Sequence, residues 1–152
     1  MLWLSIIKKD DAAMKYFLIT LLLGFVLVSC IKKEEPKFSS YGTQAFAYSL
    51  DTGWEVNGLT RVKDFKNVGG NDQYSASISY AVLIVNPEND TLKAVSDTTV
   101  SKTNQEKMND TEIDTQFDLD STYTKGKYKL IFHLKDANSG QTASSSASFT
   151  LD

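Results

Sequence analysis

Gly126-Lys127-Tyr128-Lys129-Leu130-Ile131-Phe132-His133-Leu134-Lys135-Asp136 decides the fold class of this chain. Tyr128, Leu130, Phe132 and Leu134 fall on every second residue, and Lys127, Lys129, His133 and Lys135 fill the gaps, with Ile131 the one apolar intruder. Successive side chains of a β-strand point to opposite faces, so this stretch is a strand with one side in a core and the other in water. The same period of two runs on both sides of it. Ile113, Thr115, Phe117 and Leu119 alternate with Gln116 and Asp118; Ala143, Ala147, Phe149 and Leu151 alternate with Thr142, Ser144, Ser146, Ser148 and Thr150. One apolar and one polar face per strand is the pattern of antiparallel sheets packed on one side.

Moving toward the N-terminus, Phe46, Tyr48 and Leu50 mark an earlier strand. In residues 55–65, Val56, Thr60 and Val62 share a side while Leu59 falls on the other. Residues 74–85 begin serine-rich and become apolar on both faces from Tyr80, as in a central or bulged strand. Turn signals separate the runs: Asp51-Thr52-Gly53, residues 67–72 with Gly69-Gly70, residues 86–90, 124–126 and 137–140. Residues 91–100 read as a further strand, and 101–110 as a short helix or a long loop. About seven short alternating strands within about 100 residues predict an all-β fold, an immunoglobulin-like antiparallel β-sandwich.

The N-terminal part is of another kind. Met14-Lys15 precedes an apolar run over residues 16–28, which ends in Leu27-Val28-Ser29-Cys30, and Cys30 is the single cysteine. The run is shorter than the roughly 20 residues a spanning helix needs. A transmembrane anchor extended by residues 1–13 is the alternative, but Lys8-Lys9-Asp10-Asp11 interrupts it. Basic start, apolar middle and small residue before a cut make a secretory signal. Leu27-Val28-Ser29-Cys30 resembles the lipobox of bacterial lipoproteins. That resemblance implies cleavage before Cys30 and a covalent lipid on its sulfur. Lys33-Glu34-Glu35 resembles the surface-export signal of Bacteroidota lipoproteins, although a charged tether would stay solvated for simpler reasons. The expected organisation is a signal peptide over 1–29 (1–13 reading as a start-site extension), a lipidated cysteine and tether over 30–41, and the sandwich over 42–152.

Within the last third, Gly126 to Leu130, Leu134-Lys135-Asp136, Ser139-Gly140 and Ala147 to Leu151 resemble the final hairpin of bacterial immunoglobulin-like or fibronectin-III-like modules. The resemblance implies a tyrosine corner at Tyr128. The disulfide and core-tryptophan pattern of antibody domains is absent.

Composition narrows the function. Removing residues 1–29 takes away three lysines and two aspartates, so the formal charge moves from −3 to −4. A mildly acidic chain lacks the phosphate-neutralising surface that nucleic-acid binding needs. His133, the only histidine, shares a face with Lys129 and Lys135 and reads as a surface residue. One histidine, and a cysteine committed to lipid, leave little for a nucleophilic triad or a histidine-rich zinc site. Glu112 and Asp114 share a strand face, as do Gln116 and Asp118, and a solvated face explains them better than a glycosidase pair.

Asp118-Leu119-Asp120-Ser121-Thr122 begins like a calcium loop but has Tyr123 where the turn glycine belongs and Lys129 in place of the bidentate glutamate. Asp64, Asn71 and Asp72 are looser candidates for calcium at loop ends. Trp54, Tyr41, Tyr74 and Tyr123 lie near turns, where aromatics serve as core packing, carbohydrate platforms or interface anchors. Trp54 is the first choice as an anchor. Asp90-Thr91-Leu92 and Asp97-Thr98-Thr99 resemble the O-glycosylation triplets of exported Bacteroidota proteins.

The expectation is a non-enzymatic outer-membrane lipoprotein, exposed at the cell surface with a periplasm-facing orientation as the alternative, with no cofactor beyond its lipid, no metal and no nucleic-acid partner. It would act as an accessory or scaffolding subunit of a larger membrane complex. A free-standing module for glycan or another ligand is the alternative; a hydrolase, or an inhibitor acting through residues 101–110, stands third.

Overall fold

A computed structural model describes residues 36–92 and 96–152. Its strands are β1 Ser39–Leu50, β2 Gly53–Lys63, β3 Val68–Gly70, β4 Gln73–Val85, β5 Ser96–Asn104, β6 Asp110–Asp120, β7 Gly126–Asp136 and β8 Thr142–Leu151. All pairings are antiparallel. One sheet has the order β1-β2-β6. In the other, β4 carries β5 along one side and β7, followed by β8, along the other, with β3 beside the start of β4. This is the expected immunoglobulin-like β-sandwich.

The inward faces are those that alternation predicts for β6, β7 and β8. Ile113 and Leu119, then Tyr128, Leu130, Phe132 and Leu134, then Phe149 and Leu151 are buried, while Lys127, Lys129, His133 and Lys135 are exposed. They meet Trp54, Val56 and Val62 of β2 and Ile78, Val82 and Ile84 of β4 in one core. Gly58 lets the two sheets approach. A methyl group on its Cα would collide with Leu130 Cδ2 and stand 3.3 Å from Phe132 Cζ, both fully buried.

Two polar knots close the β7 ends. Tyr128 is buried, stacks on Phe149 at 5.5 Å between ring centroids, and donates its hydroxyl proton to the Thr124 carbonyl at 2.8 Å. Hydroxyl-to-backbone bonding a few residues upstream is the geometry of a tyrosine corner. At the other end Asp136 is 0 % exposed. Its carboxyl oxygens accept from Lys66 N at 2.8 Å, Asn138 N at 2.9 Å and the Ser139 hydroxyl. A buried acid is tolerated there because each of these bonds replaces one to water.

Three expectations need correction. The domain begins before residue 42: Phe38 is 2 % exposed and β1 starts at Ser39, so residues 38–41 belong to the sandwich and not to the tether. Residues 101–104 continue β5, which pairs Ser101 with Ser77 and Asn104 with Tyr74. The loop after it is pinned by Asn67, which bonds both N–H and C=O of Met108 at 3.0 Å. Gly69-Gly70 is the end of the short β3; the turn itself is Asn71-Asp72, with φ of 55° and 63°. Two successive positive φ values make the type I′ hairpin turn, for which Asn and Asp are suited.

The phase of β1 is set by its partner strand. Phe46, Tyr48 and Leu50 face outward, and Ala45 and Ala47 face in. A two-residue turn, Asp51-Thr52, pairs Leu50 with Gly53, hence Ser49 with Trp54, Ala47 with Val56 and Ala45 with Gly58. Directly paired residues share a face, so the strong inward pattern of β2 dictates that of β1. A bulge between Tyr41 and Gln44, with Gly42 at φ 61°, then shifts the phase and lets Phe38 point inward.

Gly58→Ala is expected to destabilise the domain by about 1–3 kcal/mol through overpacking, read as a lower denaturant midpoint with unchanged slope. Asp136→Ala is expected to cost about 2 kcal/mol or more, because it strands the Lys66 and Asn138 N–H groups. Tyr128→Phe, which keeps the ring stack, is expected to cost only about 1 kcal/mol in the same assay.

Candidate functional site

Pairing register assigns the outward residues of the three-stranded sheet. On β1 these are Ser39, Tyr41, Gln44, Phe46, Tyr48 and Leu50; opposite them on β2 lie Lys63, Arg61, Leu59, Asn57, Glu55 and Gly53. Beyond them on β6 come Asp110, Glu112, Asp114, Gln116, Asp118 and Asp120. The face is therefore striped, with an apolar edge, a mixed centre and an acidic far edge. Phe46 is 50 % exposed, Tyr48 58 % and Leu50 46 %. Burying such a side chain fully is worth about 1.5–3 kcal/mol, so leaving three half-exposed forgoes on the order of 2–4 kcal/mol. Single exposed apolar residues are ordinary, whereas a contiguous row along one strand marks an interaction surface.

β1 is also an edge strand that pairs only with β2 among the described residues. From Ser39 to Leu50 it contains neither Lys nor Pro, the usual blocks against edge association, and only the bulge at Gly42 interrupts it. At its start Tyr41 donates its hydroxyl to Asp110 Oδ2 at 2.7 Å. That carboxylate acceptor, chiefly, holds the Tyr41 hydroxyl above the ordinary tyrosine range, with Arg61 opposing it weakly. Arg61 pairs with Glu112 at 3.5 Å; both side chains are about half exposed, so the pair adds little stability.

The outer face of the other sheet is built differently. Ser77 and Ser79 of β4 bond Ser101 and Thr99 of β5 through their hydroxyls at 3.3 and 2.9 Å. Lys127, Lys129, His133 and Lys135 of β7 stand between β4 and the exposed hydroxyls of β8. A shallow depression of about 560 Å³ lies over Ser79, Ala81, Asp97, His133, Lys135 and Ser144.

The residues singled out in the sequence do not converge on a catalytic centre. Trp54 is a correction: it is 8 % exposed, sits in the core and bonds the Asp152 carbonyl through Nε1 at 3.3 Å, so it offers no face to a partner or a sugar. Its inward phase, set by alternation with Val56, is the physical reason. His133 is exposed on the lysine face. Glu112, Asp114, Gln116 and Asp118 are exposed along β6. Asp120 closes an Asx turn on Thr122, whose hydroxyl and then N–H hold the Asp120 carboxyl below the ordinary aspartate range.

Asp64, like Asn71 and Asp72, takes a positive φ. Among the described residues no group of three or more His, Cys, Asp or Glu side chains is placed to hold a metal ion. Tyr123 packs partly buried on the core, and Tyr74 has Lys107 Nζ 5.8 Å from its ring centre. Thr91 bridges to Val85, and Asp97-Thr98-Thr99 lies in β5. Cys30, Lys33, Glu34 and Glu35 lie outside the described residues. The apolar row on β1 was missed in the sequence because its alternation reads as a core face; counting back from the two-residue turn would have reversed it.

No protein-family model matches the chain, and no curated protein does either. Solved structures do resemble it. Over 76 % of this chain and 14 % of the other, it superposes on the β-glucuronidase of Bacteroides uniformis with a TM-score of 0.56 and 8 % identity. Over 77 % of this chain and 50 % of the other, it matches Spo0M, the sporulation control protein of Bacillus subtilis, with a TM-score of 0.40 and 13 % identity. The chain thus spans about one seventh of the length of the glucuronidase. At such identity the first likeness speaks to the fold alone, and what it supports is a β-sandwich.

Proposed function

We propose that this chain is a non-catalytic lipoprotein of the bacterial outer membrane, anchored through lipid on Cys30 and displayed at the cell surface. Its sandwich serves as an accessory subunit docked on a larger membrane assembly. The observation that carries the docking role is the exposed row Phe46, Tyr48 and Leu50 on the edge strand β1. The lipobox-like Leu27-Val28-Ser29-Cys30 supports the location. Between Cys30 and the buried Phe38 lie residues 31–37, which span at most about 25 Å when fully extended. A partner within that reach of the membrane can bind the domain without a further linker. Lipid fixes where the domain is, and the striped face decides what it touches; several acyl chains, at about 0.8 kcal/mol per buried methylene, make the anchoring stable.

Two variants test the two halves. Cys30→Ala is expected to move the protein from the membrane fraction to the soluble fraction of its native cells; retention in the membrane would contradict the lipid anchor. For docking, a C-terminally tagged wild type extracted in mild detergent is expected to co-elute with a large membrane protein. Tyr48→Lys combined with Phe46→Ser should abolish that co-elution while leaving the thermal midpoint within a few degrees, since both side chains are exposed. Elution of the wild type alone, at the size of one lipidated domain, would refute the subunit role.

A further inference from the structure

The charge of the sandwich is divided unequally between its two outer faces. On the three-stranded sheet the outward acids are Glu55, Asp110, Glu112, Asp114, Asp118 and Asp120, answered by Arg61 and Lys63. On the larger sheet the outward ionisable residues are Lys127, Lys129, His133 and Lys135 of β7, answered among the described residues by Asp97 of β5. Glu88 and Asp90 stand beyond the start of β7, in the loop whose Pro87 lies against Gly126. The net negative charge of the chain thus conceals one basic face.

Register describes how that face is built. Its cations form one row along β7. Thr142, Ser144 and Ser148 of β8 pair with Lys135, His133 and Lys129, and Ser79, Ala81 and Leu83 of β4 lie on the other side of the row. Leu83 and Ile131, both half-buried, pair at its centre between Lys129 and His133. Its outward residues include no aromatic side chain among the described residues, so it has no platform on which a base or a sugar ring could stack. An open row of cations around a small apolar patch suits a broad anionic layer better than a single ligand.

The chain enters the domain beside this sheet. Phe38 N donates to Gln141 Oε1 at 2.9 Å, and Gln141 directly precedes β8. Residues 31–37 reach at most about 25 Å, so lipid on Cys30 holds the domain close enough for its face to meet the headgroups. We propose that the outer face of β4-β7-β8 lies against the anionic lipid surface to which the chain is tethered, with the β1 row turned away from the lipid. The inference rests on the lipid anchor at Cys30 proposed above and gives the anchored domain an orientation. Each lysine near an anionic surface contributes roughly fivefold to the population that faces it. The two sheets stand about 10 Å apart, about one Debye length at 0.1 M salt, so the acids of the opposite face lie too far from the lipid to cancel the lysines. Phe46, Tyr48 and Leu50 are then presented to whatever part of a partner stands outside the bilayer.

The test uses full-length lipidated protein inserted into preformed vesicles of phosphatidylcholine, either alone or with a third of the lipid replaced by phosphatidylglycerol. Cys30 bears the lipid, so an introduced cysteine is the one free thiol. Ser146→Cys reports on the basic face and Gln116→Cys on the acidic one, each by its rate of reaction with a bulky, impermeant maleimide. Ser146→Cys is expected to react about fivefold or more slowly on the anionic vesicles than on the neutral ones, with Gln116→Cys equally fast on both. High salt, or Lys129→Glu with Lys135→Glu, is expected to remove that protection. Equal rates for Ser146→Cys on the two vesicles, in protein that floats with both, would overturn the orientation and leave the anchor standing. Protection of Gln116→Cys, or protection of Ser146→Cys that survives the lysine reversals, would overturn it too. Failure to float with neutral vesicles would overturn the anchor and this inference with it. Unchanged denaturation midpoints of the variants exclude misfolding as the cause.

Discussion

The distance at which the two sheets can close is the constraint on which the rest of this structure depends. Gly58 lies against Leu130 and Phe132 with no room for a methyl group. Around it the inward positions nearest the β1–β8 side are small: Ala45 and Ala47 on β1, and Ala143, Ser145 and Ala147 on β8. Thr60 bonds Ser145 at 3.2 Å and Thr43 at 2.9 Å, so the hydroxyls there satisfy one another. Elsewhere in the core the inward positions are large, among them Tyr128, Phe149 and Trp54. Small and large side chains complement one another across the core, because protein interiors are packed as densely as organic crystals.

That constraint has a consequence on the surface. β1 presents Ala45 and Ala47 to the core, and its alternating large residues are left outside. Where a core strand loses an apolar face, stability is forgone; here a row of aromatic and aliphatic groups along an edge strand becomes available to another molecule. Fold and interface are thus two readings of one register, fixed by the two-residue turn after Leu50 and reset by the bulge at Gly42. The polar knots at Tyr128 and Asp136 hold the ends of β7, the strand that links β4 to β8 at the centre of the larger sheet.

Most of the fold was legible in the chain because β6, β7 and β8 alternate cleanly, and a one-residue slip would turn every core residue to water. β2 was legible too, down to Leu59 facing away from Val56 and Val62. β1 was not. Phe46, Tyr48 and Leu50 have the same spacing whether they face in or out, and only the partner strand decides. Trp54 misled in the opposite direction: position next to a turn suggested exposure, yet its alternation with Val56 placed it inside. β5 was half visible, since Thr98 to Thr103 are polar enough for a loop and gain their strand pairing from β4.

The central claim is that the outward row of β1 is covered in the cell. Hydroxyl-radical footprinting of the protein in intact native cells, compared with the purified protein, tests it most directly. Labelling of Phe46, Tyr48 and Leu50 would be normalised to the exposed loop residues Pro87 and Glu88. The account predicts severalfold weaker labelling of the three β1 residues in cells, with little change in the loop. Equal labelling of β1 in cells and in the purified protein would mean that this face meets only water, and would contradict the account.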